Sequence, residues 1–346
     1  MKFSRKEISR AGETMMTSSS QSEVNKALGK INTWRLHHLR PLKIMRNGLE
    51  RLCKKHKIKP SFISQRLKRL TSIQYKLDLN ENMGLGGMQD IGGYRAVLKD
   101  VDELKELKEV IEKAKLNHKL LKVNDYINNP KDSGYRSIHF IYEYNSSSDT
   151  FNGLRLELQI RTKLQHNWAT AVETAGIITN TSLKSSMGPD KWLDFFKIVS
   201  SLFAIKEEVP LLEIHSDKTM KELMLECYQN CEDLQIIEHL RALGATTKHL
   251  EKQNFPGDYY LINIDIEKRK VNLNVYDSSS LDNATGRYLE LEKEIEHSKN
   301  AVVLVSANSL RLLKKAYPSY FLDTSEFLTA LEKINENCVK LGYIKT

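Results

Sequence analysis

The sequence predicts an α+β protein in two parts: a mixed sheet flanked by helices, then a small C-terminal ββαβα module. Three observations predict it. SIHFIYEY (137–144) and LRLELQIRT (154–162) alternate apolar and polar residues with period two, as do YYLINIDI and KVNLNVYD further on. Around them, apolar residues recur at three- and four-residue spacing, which is the mark of amphipathic helices. The composition also shifts at 209–217 (VPLLEIHSD), which places a boundary at about 209–216 and divides the chain into 1–210 and 211–346.

Taken in order, residues 19–58 read as helical. Val24, Leu28, Ile31, Leu36 and Leu39 keep the period, and Pro41 is expected to divide this helix from a second one carrying Leu49 and Leu52. A basic stretch, RLKRLTSIQYK, follows. In MQDIGGYRAVL the run AVL reads as a strand leaving a tight Gly-Gly turn. DVDELKELKEVIEKAK is an amphipathic helix with Asp100 as N-cap and Leu104, Leu107, Val110 and Ile111 as its stripe. The two alternating segments next in line form a hairpin. In the second of them Leu154, Leu156, Leu158 and Ile160 face one side, and Arg155, Glu157, Gln159 and Arg161 the other. Helices are expected over 163–178 and 189–206, then one long helix over 217–243. A hairpin around EKRK, a helix over 285–297, the buried strand AVVLVSA and helices over 309–315 and 324–336 complete the chain.

With 346 residues, either part can bury a core, and 40% apolar with 28% charged residues excludes wholesale disorder. The net charge of +9 is uneven. Residues 1–80 hold 19 Lys/Arg against 5 Asp/Glu, a net of +14, so the rest sums to −5. That suggests a polyanionic partner for the N-terminal quarter. Four cysteines make no disulfide framework, and Cys227 and Cys231 lack further ligands at zinc spacing. The N-terminus has no apolar signal core, and no apolar run approaches the roughly 20 residues of a membrane span. A cytoplasmic protein is expected.

Polar residues gather in four places. Arg66, Lys68, Ser72 and Lys76 are cations with a hydroxyl between them; on one helix turn they suit a triphosphate, or else a solvated basic face. Asp90, with Arg95, precedes Gly92-Gly93; a carboxylate there can hold Mg²⁺ together with substrate phosphates, or simply shape a turn. DYINNPKDSGYRSIH forms a loop expected to expose Lys131, Tyr135 and Arg136, with His139 on the next strand. A loop tyrosine can stack on a base or pack into the core. Glu157 shares the domain with Asp90, and paired carboxylates on a metal serve nucleotidyl and phosphoryl transfer. No P-loop, dinucleotide fingerprint or kinase catalytic loop is present.

RLKRLTSIQYK, DIGGYR, DYINNPKDSGYRSIH and ELQIRTKLQHNWAT, in this order, resemble the synthetase domain of the RelA/SpoT family over about residues 35–205. The resemblance implies an ATP pyrophosphokinase, which moves the β,γ-pyrophosphate of ATP to a ribose 3′-hydroxyl, usually of GDP or GTP. It implies that Arg66 and Arg95 sandwich the adenine and that Lys68, Ser72 and Lys76 hold ATP phosphates. Asp90 and Glu157 would carry Mg²⁺, with Glu157 also the base. Tyr135 would stack on the acceptor, and Lys131, Arg136 and His139 would line it. No His-Asp pair of the hydrolase type precedes the motifs, so a single-function synthetase is expected.

NAVVLVSANSLRLLKKAYPSYFLDTSEFL, with Tyr317 and Tyr320 as a YxxY element, resembles the C-terminal domain of the fused toxin–antitoxin synthetases called CapRel. That resemblance implies a pseudo-zinc-finger-like fold without metal, whose YxxY element plugs the ATP site. A phage major capsid protein would bind the module and free the toxin. The toxin would then pyrophosphorylate the 3′-CCA end of tRNA and stop translation. The alternative is a (p)ppGpp synthetase acting on GDP or GTP. A monomer is expected.

Overall fold

The computed structural model describes residues 3–80, 82–147, 150–179, 181, 183, 186–245, 257–265, 268, 270–295, 300–306 and 309–344. Three helices open the chain: α1 (Arg5–Thr17), α2 (Gln21–His37) and α3 (Leu39–Lys55). The sequence reading passed over α1, which a capping box starts: Ser4 Oγ accepts from the Glu7 N–H while the Glu7 carboxylate takes the Ser4 N–H. Pro41 does not divide α2 from α3. The break is at His38, and Pro41 sits in the first turn of α3, where its missing N–H would have no helical acceptor anyway.

The strands β1 (Phe62–Leu67), β2 (Gly92–Leu98), β3 (Lys119–Asp125), β4 (Ile138–Glu143) and β5 (Arg155–Thr162) form the first part of one sheet. The β4–β5 hairpin is antiparallel as expected, whereas β3 has no counterpart among the expected elements; it is an edge strand with no fully buried residue, so its residues carry little apolar alternation. Gly92 and Gly93 belong to β2 itself and make no turn. A Cβ on Gly92 would meet Leu156 Cδ2 at 2.6 Å and His38 Cβ at 3.2 Å, so close packing requires that glycine. Between β1 and β2 lies α4 (Leu70–Asp78), and between β2 and β3 lies α5 (Val101–Lys113), capped by Asp100 as expected. The apolar sheet face packs against the N-terminal helices and α5 in one core that includes Ile31, Leu42, Leu104, Phe140, Leu156 and Ile160.

After β5 come α6 (Lys163–Thr179) and α7 (Asp190–Glu207). The expected long helix over 217–243 is two helices, α8 (Met220–Asp233) and α9 (Ile236–Ala245). Gln235, at φ 47°, turns the chain between them. The module then supplies β6 (Tyr259–Asp265), β7 (Lys270–Tyr276), α10 (Leu281–Glu294), β8 (Ala301–Ser306), α11 (Leu310–Ala316) and α12 (Ser325–Lys340). The tip of its hairpin lies partly outside the described residues.

The strand order is β3-β4-β5-β2-β1-β8-β6-β7. The sheet thus crosses the expected boundary: β8 pairs antiparallel with β1, Gln65 opposite Ser306 and Arg66 opposite Val305. The helices cross it too, since α8, α9 and α12 share a core with α6 and α7 around Phe195, Phe196, Phe327 and Leu331.

Candidate active site

Strand register builds the site. Arg66 on β1 stands opposite Gly93 on β2, and Gly93 opposite Glu157 on β5. One step along, Ser64 stands opposite Arg95, Arg95 opposite Gln159, and Gln159 opposite His139 on β4. With the side-chain period of two, these rows place Arg66, Arg95, Glu157, Gln159, Arg161 and His139 on one sheet face. A Cβ on Gly93 would have only the Glu157 carbonyl, at 4.0 Å, within reach, so the missing side chain leaves room on that floor.

Two charged clusters stand on the floor. In the first, Asp90 accepts from Lys68 Nζ at 2.7 Å and from Lys76 Nζ at 3.0 Å. Burial pushes the Asp90 carboxyl up, but the two ammonium groups outweigh it and hold it well below the carboxylate range. Arg66, Lys68, Ser72 and Lys76 do not share a helix turn. Arg66 is in β1, one residue before its end, Lys68 is in the link, and Ser72 and Lys76 ride on α4. The strand-to-helix corner still brings both lysines to one carboxylate.

In the second cluster, His139 Nδ1 lies 3.0 Å from Glu157 Oε1 and His139 Nε2 lies 2.9 Å from the Tyr135 hydroxyl. Gln159 Nε2 donates to the other Glu157 oxygen. Burial opposes charge on His139, yet Tyr135 and Glu157 raise its pKa to about 9. Burial likewise raises the Glu157 carboxyl, while His139 and Gln159 bring it below its ordinary value; Asp90, sensed through space, works the other way.

Of the three loop residues expected to be exposed, two are buried. Tyr135 and Arg136 are 6% and 3% exposed. Arg136 donates to Ser200 Oγ on α7 and to the Ile127 carbonyl, so it fastens the loop to the helices and does not face an acceptor. Lys131 remains exposed, its Nζ 4.7 Å from the Tyr126 ring centre and 5.5 Å from that of Tyr135.

The C-terminal module reaches this floor. After α11 a short 3₁₀ turn, Pro318–Phe321, lays the two tyrosines on it with rings stacked 5.7 Å apart. Arg66 Nη1 donates to the Tyr320 hydroxyl at 2.8 Å, and the Tyr317 hydroxyl donates to the Gln65 carbonyl at 2.6 Å. Burial first, against the pull of Arg95, raises the Tyr317 hydroxyl to about 12. Arg69 stacks over the Tyr320 ring, and Ser319 Oγ donates to Glu173 of α6 at 2.9 Å. Tyr317 and Tyr320 therefore cover Arg66 and approach Arg95; Glu157 lies further along the row.

Two residues of α6 beside this floor, His166 and Glu173, belong to none of the expected site residues, while Arg161 shares the polar face of β5 with Glu157. Arg161 Nη2 donates to His166 Nδ1 at 2.6 Å, and His166 Nε2 donates to the Lys315 carbonyl at 3.3 Å. Burial, with Arg95 beside it, lowers Arg161 to about 9. His166 and Glu173 are seven apart and so share one face of α6, with Ala169 and Thr170 between them; that spacing is the signal in the sequence. Arg95 Nε and Arg161 Nε are buried without a hydrogen-bond partner. Orphaned donors on such a floor suit a planar polar ligand.

Two carboxylates at one end of neighbouring parallel strands fit Mg²⁺ of the kind that arrives with a nucleotide, which needs one or two protein carboxylates and takes its other ligands from phosphate and water. Among the described residues, no group of three or more His, Cys, Asp or Glu could hold a metal alone. No described helix is long and apolar enough to cross a membrane.

Residues 65–178 match the region found in RelA / SpoT proteins. Over 117 residues the chain is 34% identical to the GTP pyrophosphokinase YjbM of Bacillus subtilis (strain 168), covering 32% of this chain and 53% of that protein. Over 83 residues it is 31% identical to the GTP pyrophosphokinase YwaC of the same organism, covering 24% of this chain and 39% of that one. The chain thus spans about half or less of the length of these curated relatives. The crystal structure of the small alarmone synthetase 1 from Bacillus subtilis aligns with a TM-score of 0.45 at 24% identity, over 52% of this chain and 93% of that one. The matched region contains both charged clusters and all four motifs, so the part of the chain that builds this site is similar to the region found in RelA / SpoT proteins.

Proposed function

We propose that the chain is an ATP pyrophosphokinase whose C-terminal module holds it inactive. The observation that carries the reading is the convergence of Lys68–Asp90–Lys76 and His139–Glu157 on one polar sheet floor. Arg66 and Arg95 are placed to stack on adenine, as guanidinium planes do. Lys68 and Lys76 would turn from Asp90 to the donor phosphates, and Ser72 on α4 would add a hydroxyl. Bound Mg²⁺ would neutralise phosphate charge at Asp90 and Glu157. Glu157, kept ionised by His139, would orient the acceptor 3′-hydroxyl and take its proton. Tyr135, through His139, holds that carboxylate in place, and Lys131 stands at the rim for acceptor phosphates. Restraint of the enzyme follows from Tyr317 and Tyr320 lying where the adenine would go.

For the acceptor we propose the CCA end of tRNA. The net +14 of residues 1–80 supports it, because exposed cations such as Lys26, Lys30, Lys54 and Lys55 suit a long phosphate backbone. On the resemblance of its C-terminal module, the trigger would be a phage major capsid protein in abortive infection, and the product would be arrested translation. The second reading, GDP or GTP as acceptor, is favoured by the names of the two curated relatives. Incubation of the full chain with labelled ATP and either bulk tRNA or GDP/GTP decides between them, with and without co-expressed capsid protein. Label on tRNA supports the first reading, label only on the nucleotides supports the second, and transfer to neither overturns both.

A further inference from the structure

The module touches the synthetase domain at a second point, on the opposite side of the sheet from the tyrosines. Arg35, on α2, is 1% exposed. Its Nη1 and Nη2 donate to the two oxygens of Glu292 on α10, at 2.6 and 3.1 Å. Its Nε and Nη2 also donate to the carbonyl of Lys68, at 3.1 and 2.9 Å. Tyr288 lies beneath, its hydroxyl shared between Arg35 and Glu292. Glu292 Oε1 further accepts from the N–H of Leu70, the first residue of α4, at 3.0 Å.

One guanidinium and one carboxylate thus fix both ends of the link Lys68–Leu70. The Lys68 N–H is already held by the Ile91 carbonyl at 2.8 Å. With its carbonyl on Arg35, the Lys68 backbone is pinned on both sides, and its side chain leaves toward Asp90. The carboxylate at the start of α4 also complements that helix end, and α4 carries Ser72 and Lys76. A surface contact between two domains does not need a fully buried charge. This one supplies the counter-ion for a buried arginine that contacts the donor segment's backbone.

We propose that Arg35 is a positioning residue for the donor lysine Lys68, and that Glu292 of the C-terminal module sets it. The module then covers the donor floor with its tyrosines and also shapes that floor from behind. The inference rests on the reading of Lys68 as a phosphate-binding residue. It implies that release of Tyr317 and Tyr320 need not include release of α10. The grip of Glu292 keeps the lysine placed while the tyrosines swing clear.

The test uses the full chain carrying Tyr317→Ala and Tyr320→Ala as parent, so that the donor floor is uncovered. Removing one partner of a buried pair leaves an uncompensated charge, whereas replacing both with apolar residues of similar volume is often tolerated. Arg35→Met/Glu292→Met is therefore the informative variant. It is expected to keep the melting temperature of the parent and to raise the KM for ATP about tenfold, with kcat within about twofold, because a charged hydrogen bond that orders the binding segment is lost. If the double variant fails to fold, Arg35→Lys keeps the charge beside Glu292 but cannot fork onto Lys68, and the same rise is expected. A folded variant of either kind with the parent's KM for ATP overturns the proposal and leaves the pair as packing. A parent that neither binds ATP nor transfers pyrophosphate overturns the reading of the site itself, and this inference with it.

Discussion

His139 joins Tyr135 to Glu157 at the centre of the second charged cluster. Its raised pKa, about 9 against an ordinary 6.5, means that folding favours the protonated ring. The contribution is fully present below about pH 6.5 and is lost as pH rises through about 9. The melting-temperature gap between wild type and His139→Asn is therefore expected to narrow between those values. A gap constant across that range would contradict the assignment of charge to His139. Glu157→Gln keeps the shape and the Gln159 contact but removes the base. Pyrophosphate transfer should fall by about 10²–10⁴, with the far-ultraviolet circular dichroism unchanged. The polar face carrying Glu157 was legible in the sequence, because a strand sorts its residues by parity and Arg155, Glu157, Gln159 and Arg161 share one parity. The role of Arg136 was not legible. What buries it is Ser200, 64 residues later, and no local pattern carries that distance.

At the scale of elements, β2 is where two adjacent glycines have unlike duties. Gly92 faces the apolar core and Gly93 the polar floor. Gly92→Ala is expected to destabilise by about 1–3 kcal/mol through overpacking against Leu156 and His38, and Gly93→Ala by much less. Urea unfolding of the two variants side by side measures the difference. The 3₁₀ turn bearing the tyrosines makes a second prediction at this scale. Tyr320→Ala removes the acceptor of Arg66 and uncovers it, so ATP affinity and basal pyrophosphate transfer should both rise. An unchanged affinity for an ATP analogue would make Tyr320 a packing residue. A helix break without a breaker residue leaves no mark in the sequence: α8 and α9 are separated at Leu234-Gln235, where only the left-handed backbone of Gln235 marks the change. Lys68, Ser72 and Lys76 have the spacing of one helix face, but with Arg66 they lie on a strand, a link and a helix. Spacing cannot tell one helix turn from a strand that folds back into a helix.

For the whole molecule, the N-terminal charge and the continuous sheet matter most. If an RNA phosphate backbone docks on the basic helices, log affinity for tRNA should fall linearly with log salt, and Lys54→Ala/Lys55→Ala should make that slope shallower by about two counterions. Filter binding across a salt series would show it, and a slope insensitive to the substitution would take those lysines out of the interface. The sheet joins the two parts of the chain through β1 and β8, which makes the module a neighbour of the strand that carries Arg66. Its tyrosines lie on one face of that strand and its Arg35–Glu292 grip on the other.

By itself the sequence determined the α+β class, the two hairpins, the capped helix after β2 and the four motifs with their charged residues. Each rests on a period, a cap or a spacing within some 15 residues, and hydrophobic burial enforces such patterns locally. Only the tertiary structure decided that Asp90 meets both lysines, that Tyr135 lies behind His139, and that the module shares the sheet. Those facts depend on strand order and on pairings across as many as 257 residues, such as Arg35 with Glu292. A buried charge can be recognised in a sequence only once its partner is known, and the fold is what brings that partner to it.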